Sequence, residues 1–520
     1  MKPPILIHPF LIGLFPILFL FSNNVAHLSW EQVIVPIELT VVMMAGTWLT
    51  LWIFLKNSYK AALTSSWVFL LFFSYGPAYE ALPATPSFLQ QHFFILTIWF
   101  LLLVSVGWWI NSLKKSLWSM NRIANIMSLI LVFPSIGLLI IQLWNEPSTS
   151  SLTIPTIDQK AGLTNISSHI EMPNIYFIVL DAYAREDNLQ EFFNFDNSDF
   201  LNFLREREFF VDPQARANYN QTWLALSASL NLNYVQNLLT NPLPETTSRA
   251  PLRSLLHNNQ VMTFLKKLGY TTVCFQSGHS FTQWETADIL TPPGESFDEF
   301  LITWLATTAL VGVFSIADQI RGGQHSPYQA HRDRINYTLD HLPDFASDEK
   351  PVFVFAHILA PHPPFVFGPN GNPIQPNRRY AIDDGSEFIK RGGNKEEYKK
   401  NYIGELQYIN HKLKHTIDRI LTNSRKPPII ILQSDHGSRM HLDWEQLDKT
   451  NLKEAFSILN AVFLPPKFQK EPIIAMTPVN NFRMLFNSIF NAQFEILPNE
   501  SYYAPWEHPY QFQQVTHKLQ

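Results

Sequence analysis

The chain has 520 residues, a formal net charge of -5 and one cysteine, Cys274. The length admits more than one domain. The weakly acidic balance, with no extended basic run, argues against a nucleic-acid partner, and a lone cysteine excludes intramolecular disulfides and Cys/Cys metal sites. The mean hydropathy of -0.02 averages two unlike parts: residues 1–144 are rich in Leu, Ile, Phe and Trp, and the remainder has ordinary soluble composition.

Five apolar stretches occupy about 3–22, 33–55, 61–80, 92–112 and 124–144. Each is near the roughly 20 residues a helix needs to cross the hydrocarbon layer. The first has no basic residue beyond Lys2 and no small-residue cleavage site, so it is expected to stay as a helix and not to act as a signal peptide. Lys56 and Lys60 lie in the second connection, and Lys114, Lys115 and Arg122 in the fourth; the first and third carry no Lys or Arg. The positive-inside rule then places the amino terminus in the cytoplasm and everything after residue 145 outside it. No Asp, Glu or Lys sits in mid-span, which disfavours a transport path and favours an anchor.

Residues 145–172 have the polar, Pro- and Ser-containing composition of a linker. From 173 the pattern alternates strands with helices. Ile175–Leu180 is a continuous apolar strand. Residues 200, 201, 203 and 204 mark an amphipathic stretch, 262–268 reads as a helix and Thr271–Phe275 as a strand holding Cys274 as a small core residue. Val352–Phe355 is a further strand. Leu406, Ile409, Leu413, Ile417 and Ile420 keep helical spacing, and Ile429 begins another strand. This order argues for an α/β domain with a mainly parallel sheet covered by helices on both faces, following an α-helical membrane domain of five helices.

The chemistry-bearing residues gather at strand ends and helix starts. One strand ends on Asp181, and another on Ser434-Asp435-His436-Gly437. An Asp after a strand is ordinarily a turn or cap residue, but two chain-distant strands that deliver carboxylates and an imidazole suggest a shared cation. Thr222 follows Asn218-Tyr-Asn-Gln at the start of an apolar helix. It is either an N-cap or a hydroxyl nucleophile favoured by the helix dipole and a nearby cation. His357 and His362 are five apart just past a strand, and His441 follows the Asp435-His436 pair. Each is either a solvated loop histidine or a substrate contact.

In that order, Asp181, Thr222, His362 and Asp435-His436-Gly437 resemble the alkaline phosphatase/sulfatase superfamily. With the membrane anchor, the layout is similar to lipoteichoic acid synthases and lipid A phosphoethanolamine transferases, and His357-x4-His362 is similar to a His-x4-His of the latter. The resemblance implies one divalent metal ion, Zn²⁺ or Mn²⁺, held by Asp181, Thr222, Asp435 and His436. It further implies Thr222 as a nucleophile that becomes phospho-threonine and His362 against the phosphoryl oxygens, with His357 and His441 as weaker substrate contacts. Both narrower families usually carry Glu where this chain has Asp181, and many relatives show an Asp where it has Tyr408-Ile-Asn410. A Cys/Ser-x-Pro-x-Arg stretch, needed for the formylglycine of type I sulfatases, is absent around Thr222.

The expectation is therefore an anchor over 1–144, a linker over 145–172 and an extracytoplasmic catalytic domain over 173–520 in the plasma (inner) membrane. The expected activity moves phosphoethanolamine or phosphoglycerol from a phospholipid donor to an envelope glycan or lipid acceptor. A phosphoester or sulfoester hydrolase and a non-catalytic scaffold are the alternatives. The loop 366–400, with Arg378-Arg379, is read as a lid, an anion contact or a plain solvated loop.

Overall fold

The structure is a computed structural model that describes residues 5–25, 28, 30–82, 91–114, 117–145, 172–239, 246–292, 299–320, 326–376, 380–382, 384–469 and 475–519. The chain divides into two compact units, residues 1–147 with 297–326, and residues 148–296 with 327–520. Most of the expected linker, 146–171, lies outside the described residues.

The first unit contains α1 (His8–Asn24), α2 (Trp30–Leu55), α3 (Ser58–Glu80), α4 (His92–Ser112) and α5 (Trp118–Asn145). They fall on the five apolar stretches of the sequence. Four have the length and apolarity of a membrane crossing, and α1, with 17 residues, is a shorter apolar helix. Apolar side chains such as Phe100, Leu101, Ile130 and Phe133 face outward, the arrangement expected when lipid is the solvent. The buried His8 ring ties α1 to its neighbours through Ser66 of α3 and Asn121 of α5, the latter at 2.9 Å.

Residues 297–326, which the sequence places inside the 173–520 domain, belong to this first unit. The reason is apolar matching. Helix Glu299–Thr307 buries Phe300 and Trp304 in one cluster with Ile17, Phe21, Phe69 and Phe73.

The second unit is built on a seven-stranded sheet ordered β2-β7-β6-β1-β5-β3-β4. The strands are β1 (Ile175–Leu180), β2 (Phe210–Val211), β3 (Thr271–Phe275), β4 (Ile289–Thr291), β5 (Val352–Ile358), β6 (Ile429–Gln433) and β7 (Asn460–Phe463). β6, β1, β5, β3 and β4 run parallel, whereas β7 is antiparallel to both β6 and β2. The two-residue period of β1 sends Ile175, Phe177 and Val179 into one core and Tyr176, Ile178 and Leu180 into the other. Both faces are covered, which is why these strands read as unbroken apolar runs.

One core is closed by helices Thr222–Leu230, Ala250–His257, Gln260–Lys267 and Asn481–Phe490. The other is closed by Ser198–Glu206, Pro327–His341 and Lys395–Asn423, the last burying Leu406, Ile409, Leu413, Ile417 and Ile420. Cys274 is a buried free thiol in β3. Burying each such aliphatic or phenyl side chain contributes about 1.5–3 kcal/mol. The carboxyl ends of β1, β5 and β6 lie side by side at the middle of the sheet, where α/β folds place their chemistry.

Candidate metal centre and nucleophile

Asp181 follows β1, and Asp435 and His436 follow β6, the strand paired with it. One donor atom from each lies within 4.8 Å of the others, and all three residues are buried. His436 Nε2 is the hub, 3.1 Å from Asp181 Oδ1, 3.2 Å from Asp435 Oδ2 and 3.2 Å from Thr222 Oγ1. A single ring nitrogen cannot satisfy three oxygens. Asp181 Oδ1 and Asp435 Oδ2 receive no properly directed hydrogen bond among the described residues. Bare buried carboxylate oxygens are costly unless a cation joins them. His436 Nε2 stands 3.1–3.2 Å from the three oxygens, close to the edge of a tetrahedron with metal–ligand bonds near ~2.0 Å. The donor set fits one divalent cation.

The surrounding hydrogen bonds prepare each donor. His436 Nδ1–H donates to the Gly437 carbonyl at 2.8 Å, so Nε2 keeps its lone pair. Asp435 Oδ1 accepts from the backbone N–H of His436 and Ala182, which leaves Oδ2 for the cation. The Ser434 hydroxyl accepts from the Tyr183 N–H at 2.8 Å and donates to the His436 carbonyl at 2.7 Å, linking the β1 and β6 ends. Gly437 is required by contact, because a Cβ there would run into the Glu454 carbonyl oxygen. Burial pushes the Asp181 carboxyl up, but the His362 charge and the adjoining His357 and His436 rings outweigh it and hold it well below the ordinary carboxylate range.

Thr222 opens the helix Thr222–Leu230, and the N-cap position belongs to Gln221. Its hydroxyl is therefore not spent as a cap and is directed at His436. The preceding turn is held from far along the chain. Asn220 exchanges hydrogen bonds with both backbone groups of Ala504 (3.0 and 2.9 Å), and the Gln221 amide donates to the Ala504 and Pro505 carbonyls. Arg439 donates to the Asn220 carbonyl at 2.9 Å.

The structure joins some of the remaining candidates to the cluster and leaves others apart. His357 lies within β5, which runs on to Ile358, and its Nε2 sits 3.2 Å from Asp181 Oδ2 while Nδ1 meets Thr282 Oγ1 at 3.1 Å. His362 is buried with its ring centroid 6.2 Å from that of His436. Its Nδ1–H donates to the Pro363 carbonyl, which leaves Nε2 outside that bond. His441 turns to Glu454, bonding Oε2 at 2.8 Å, and lies tilted at 45° beside the Phe192 ring. Among the described residues its side-chain contacts stay with Glu454 and Phe192, apart from the candidate metal donors. Asn410 accepts from the Tyr183 hydroxyl at 2.7 Å and so braces the chain just past Asp181. Arg378 and Arg379 lie outside the described residues.

No local motif marks His279, His331, Arg334 or Arg439, which sit in loops and helices. Burial, reinforced by the charge of His357, pushes His279 down to about 3; burial and the Arg334 charge do the same to His331. The Arg334 guanidinium packs on Gly278, where it would collide with a Cβ and where the φ of +95° favours glycine, and bonds Tyr380. Tyr380 in turn meets His331 Nδ1 at 3.1 Å, and His331 Nε2–H donates to the Leu359 carbonyl. These groups support the segment between β5 and His362.

The profile of the sulfatase family matches residues 190–458, just over half of the chain. That span contains Thr222, His357, His362, Asp435, His436 and His441, and Asp181 lies just before it. No curated protein matches. Among solved structures, the chain is similar to the integral membrane lipooligosaccharide phosphoethanolamine transferase EptA from Neisseria meningitidis, at 11% identity and a TM-score of 0.41, covering 94% of this chain and 95% of that one. It is similar to the C-terminal periplasmic domain of EptC from Escherichia coli, at 12% identity and a TM-score of 0.41, covering 65% and 91%. A phosphonate monoester hydrolase from Agrobacterium radiobacter aligns at 13% identity and a TM-score of 0.37, covering 64% and 80%.

Proposed function

The chain belongs to the sulfatase family, and from that premise we propose that it is a membrane-bound, metal-dependent transferase. It takes a phosphorylated head group, phosphoethanolamine or phosphoglycerol, from a phospholipid and passes it to an envelope glycan or lipid through phospho-threonine at Thr222. The observation that carries this reading is the Thr222 hydroxyl at the start of a helix, 3.2 Å from His436 Nε2 and uncommitted to capping. An anchor with apolar crossings supports a lipidic substrate, and the charge pattern of its connections supports an outward-facing catalytic domain.

Asp181, Asp435, His436 and Thr222 would hold the cation, Zn²⁺ or Mn²⁺; when bound it lowers the hydroxyl pKa and offsets charge on the phosphoryl oxygens. Thr222 Oγ1 gives up its proton and attacks phosphorus. The new O–P bond forms as the P–O bond to the diacylglycerol breaks, and that oxygen takes up a proton. An acceptor hydroxyl then displaces Thr222 in the same sense, and the threonine hydroxyl is restored. The helix dipole favours negative charge at Thr222, and a protonated His362 Nε2 would donate to a phosphoryl oxygen.

The same site using water is a phosphoester or sulfoester hydrolase, a reading favoured by the family name itself. A scaffold without chemistry does not fit a family of enzymes with an assembled donor set. The deciding experiment incubates the detergent-purified chain with phospholipid and Mn²⁺ or Zn²⁺, followed by peptide mass spectrometry. A metal-dependent adduct on the Thr222 peptide, absent in Thr222→Ala, supports the transferase and identifies the donor group by its mass. Metal firmly bound, with soluble product and no adduct under any donor, favours hydrolysis.

A further inference from the structure

We infer that Phe300–Ala317 is a hairpin that enters the bilayer and leaves by the same face, tethering the catalytic domain to the membrane a second time. No Asp, Glu, Lys or Arg occurs from Phe300 to Ala317. The two helices, of 9 and 11 residues, meet at a bend of 96°. At 1.5 Å per residue each is about half of the ~30 Å hydrocarbon thickness, too short to span alone. The flanking segments, up to Ser296 and from Pro327, both belong to the second unit. A segment that starts and ends in one domain must return to the side it came from.

The bend is built for a place without water. Breaking a helix frees backbone groups that lipid cannot satisfy. Here the Thr308 N–H donates to the Leu305 carbonyl at 2.9 Å, and the Leu310 N–H donates to the Thr308 hydroxyl. The Thr307 and Thr308 hydroxyls donate to the Trp304 and Leu305 carbonyls, each at 2.7 Å. The Ala309 N–H donates to the Phe72 carbonyl of α3 at 2.8 Å. Two glycines permit close approach: a Cβ on Gly76 would collide with the Ala306 carbonyl oxygen, and one on Gly312 with the Tyr75 hydroxyl. Small residues at such contacts are how helices associate in lipid.

The outer side is apolar and bare. Val313 and Phe314 are 48% and 56% exposed, and they continue the outward surface of α4, where Phe93 is 73% and Phe100 62% exposed. Lipid is the one solvent that surrounds all of these residues without cost.

Two measurements on the full chain test this. A spin label at Phe314→Cys, with Cys274 buried and unreactive, should be quenched by oxygen and shielded from a water-soluble nickel chelate in liposomes. Access by nickel overturns the proposal, and shielding from both reagents overturns it in favour of a protein cover. Second, a protease site is placed in the stretch 148–165 and cut in native membranes. The carboxyl-terminal fragment should stay in the pellet through high salt and carbonate, and should be released when Phe300–Ala317 is replaced by Gly-Ser sequence of equal length. Release with the hairpin intact, or retention without it, overturns the tether. Neither readout depends on what reaction the site performs.

Discussion

His436 Nε2 and Thr222 Oγ1 meet at 3.2 Å although 214 residues separate them in the chain. The same nitrogen faces the carboxylates of Asp181 and Asp435, so the proposed nucleophile and the proposed metal donors share one point. Thr222→Ala should lower transfer or hydrolysis by roughly a thousandfold or more. The three other donors remain, so bound metal should persist at reduced affinity. Thr222→Ser keeps the hydroxyl and should retain part of the rate. Turnover and metal content measured on both variants check this.

Ser434 is not one of the proposed cation donors; it links the Tyr183 N–H to the His436 carbonyl. Ser434→Ala should therefore act through ligand orientation, weakening metal affinity by about 10–100-fold. Competition with a chelator of known affinity reads this directly, and excess metal should restore much of the activity.

Asn220→Ala should separate alignment from metal binding. It removes both bonds to Ala504; the carbonyl keeps its bond from the Gln221 amide, and the Ala504 N–H is left unpaired at about 1–3 kcal/mol. A misaimed Thr222 should cost about a hundredfold in kcat, with metal stoichiometry unchanged. Loss of metal along with kcat would show that the turn also shapes the donor set.

The buried histidines make the catalytic unit acid-labile. His279 and His331 are pushed down to about 3 in the fold, first by burial and then by cationic neighbours. Unfolded, each titrates near ~6.5. Below that value the unfolded state binds more protons, so stability is complete above pH ~6.5 and falls toward pH 3. The slope is up to about 1.4 kcal/mol per pH unit for each ring. Unfolding followed against pH should show this loss, and His331→Gln should make the dependence shallower.

Much of the site was legible because parallel central strands announce themselves. β1 and β6 read as continuous apolar runs, and the residues just past their ends include Asp181, Asp435 and His436. The α-helical anchor was legible for the same reason, as long apolar stretches with charged connections. What escaped reading was set by packing between distant segments. His357 looked like a loop residue because β5 continues past Phe355 into Ile358. His441 looked available because nothing local announces Glu454, whose buried carboxylate holds it. The Phe300–Ala317 hairpin passed unnoticed since each of its helices is shorter than a membrane crossing. Only its partners in α3 and the other anchor helices reveal where it belongs.

The Ala504 clasp on Asn220, reaching across 284 residues, also orders events as the protein is made. Synthesis runs in one direction, so Asp181, Asp435 and His436 are all present before residue 504 exists. A partly made chain can carry its complete carboxylate and imidazole set while the turn that aims Thr222 is still loose. The proposed nucleophile is thus the last part of the centre to be held in place.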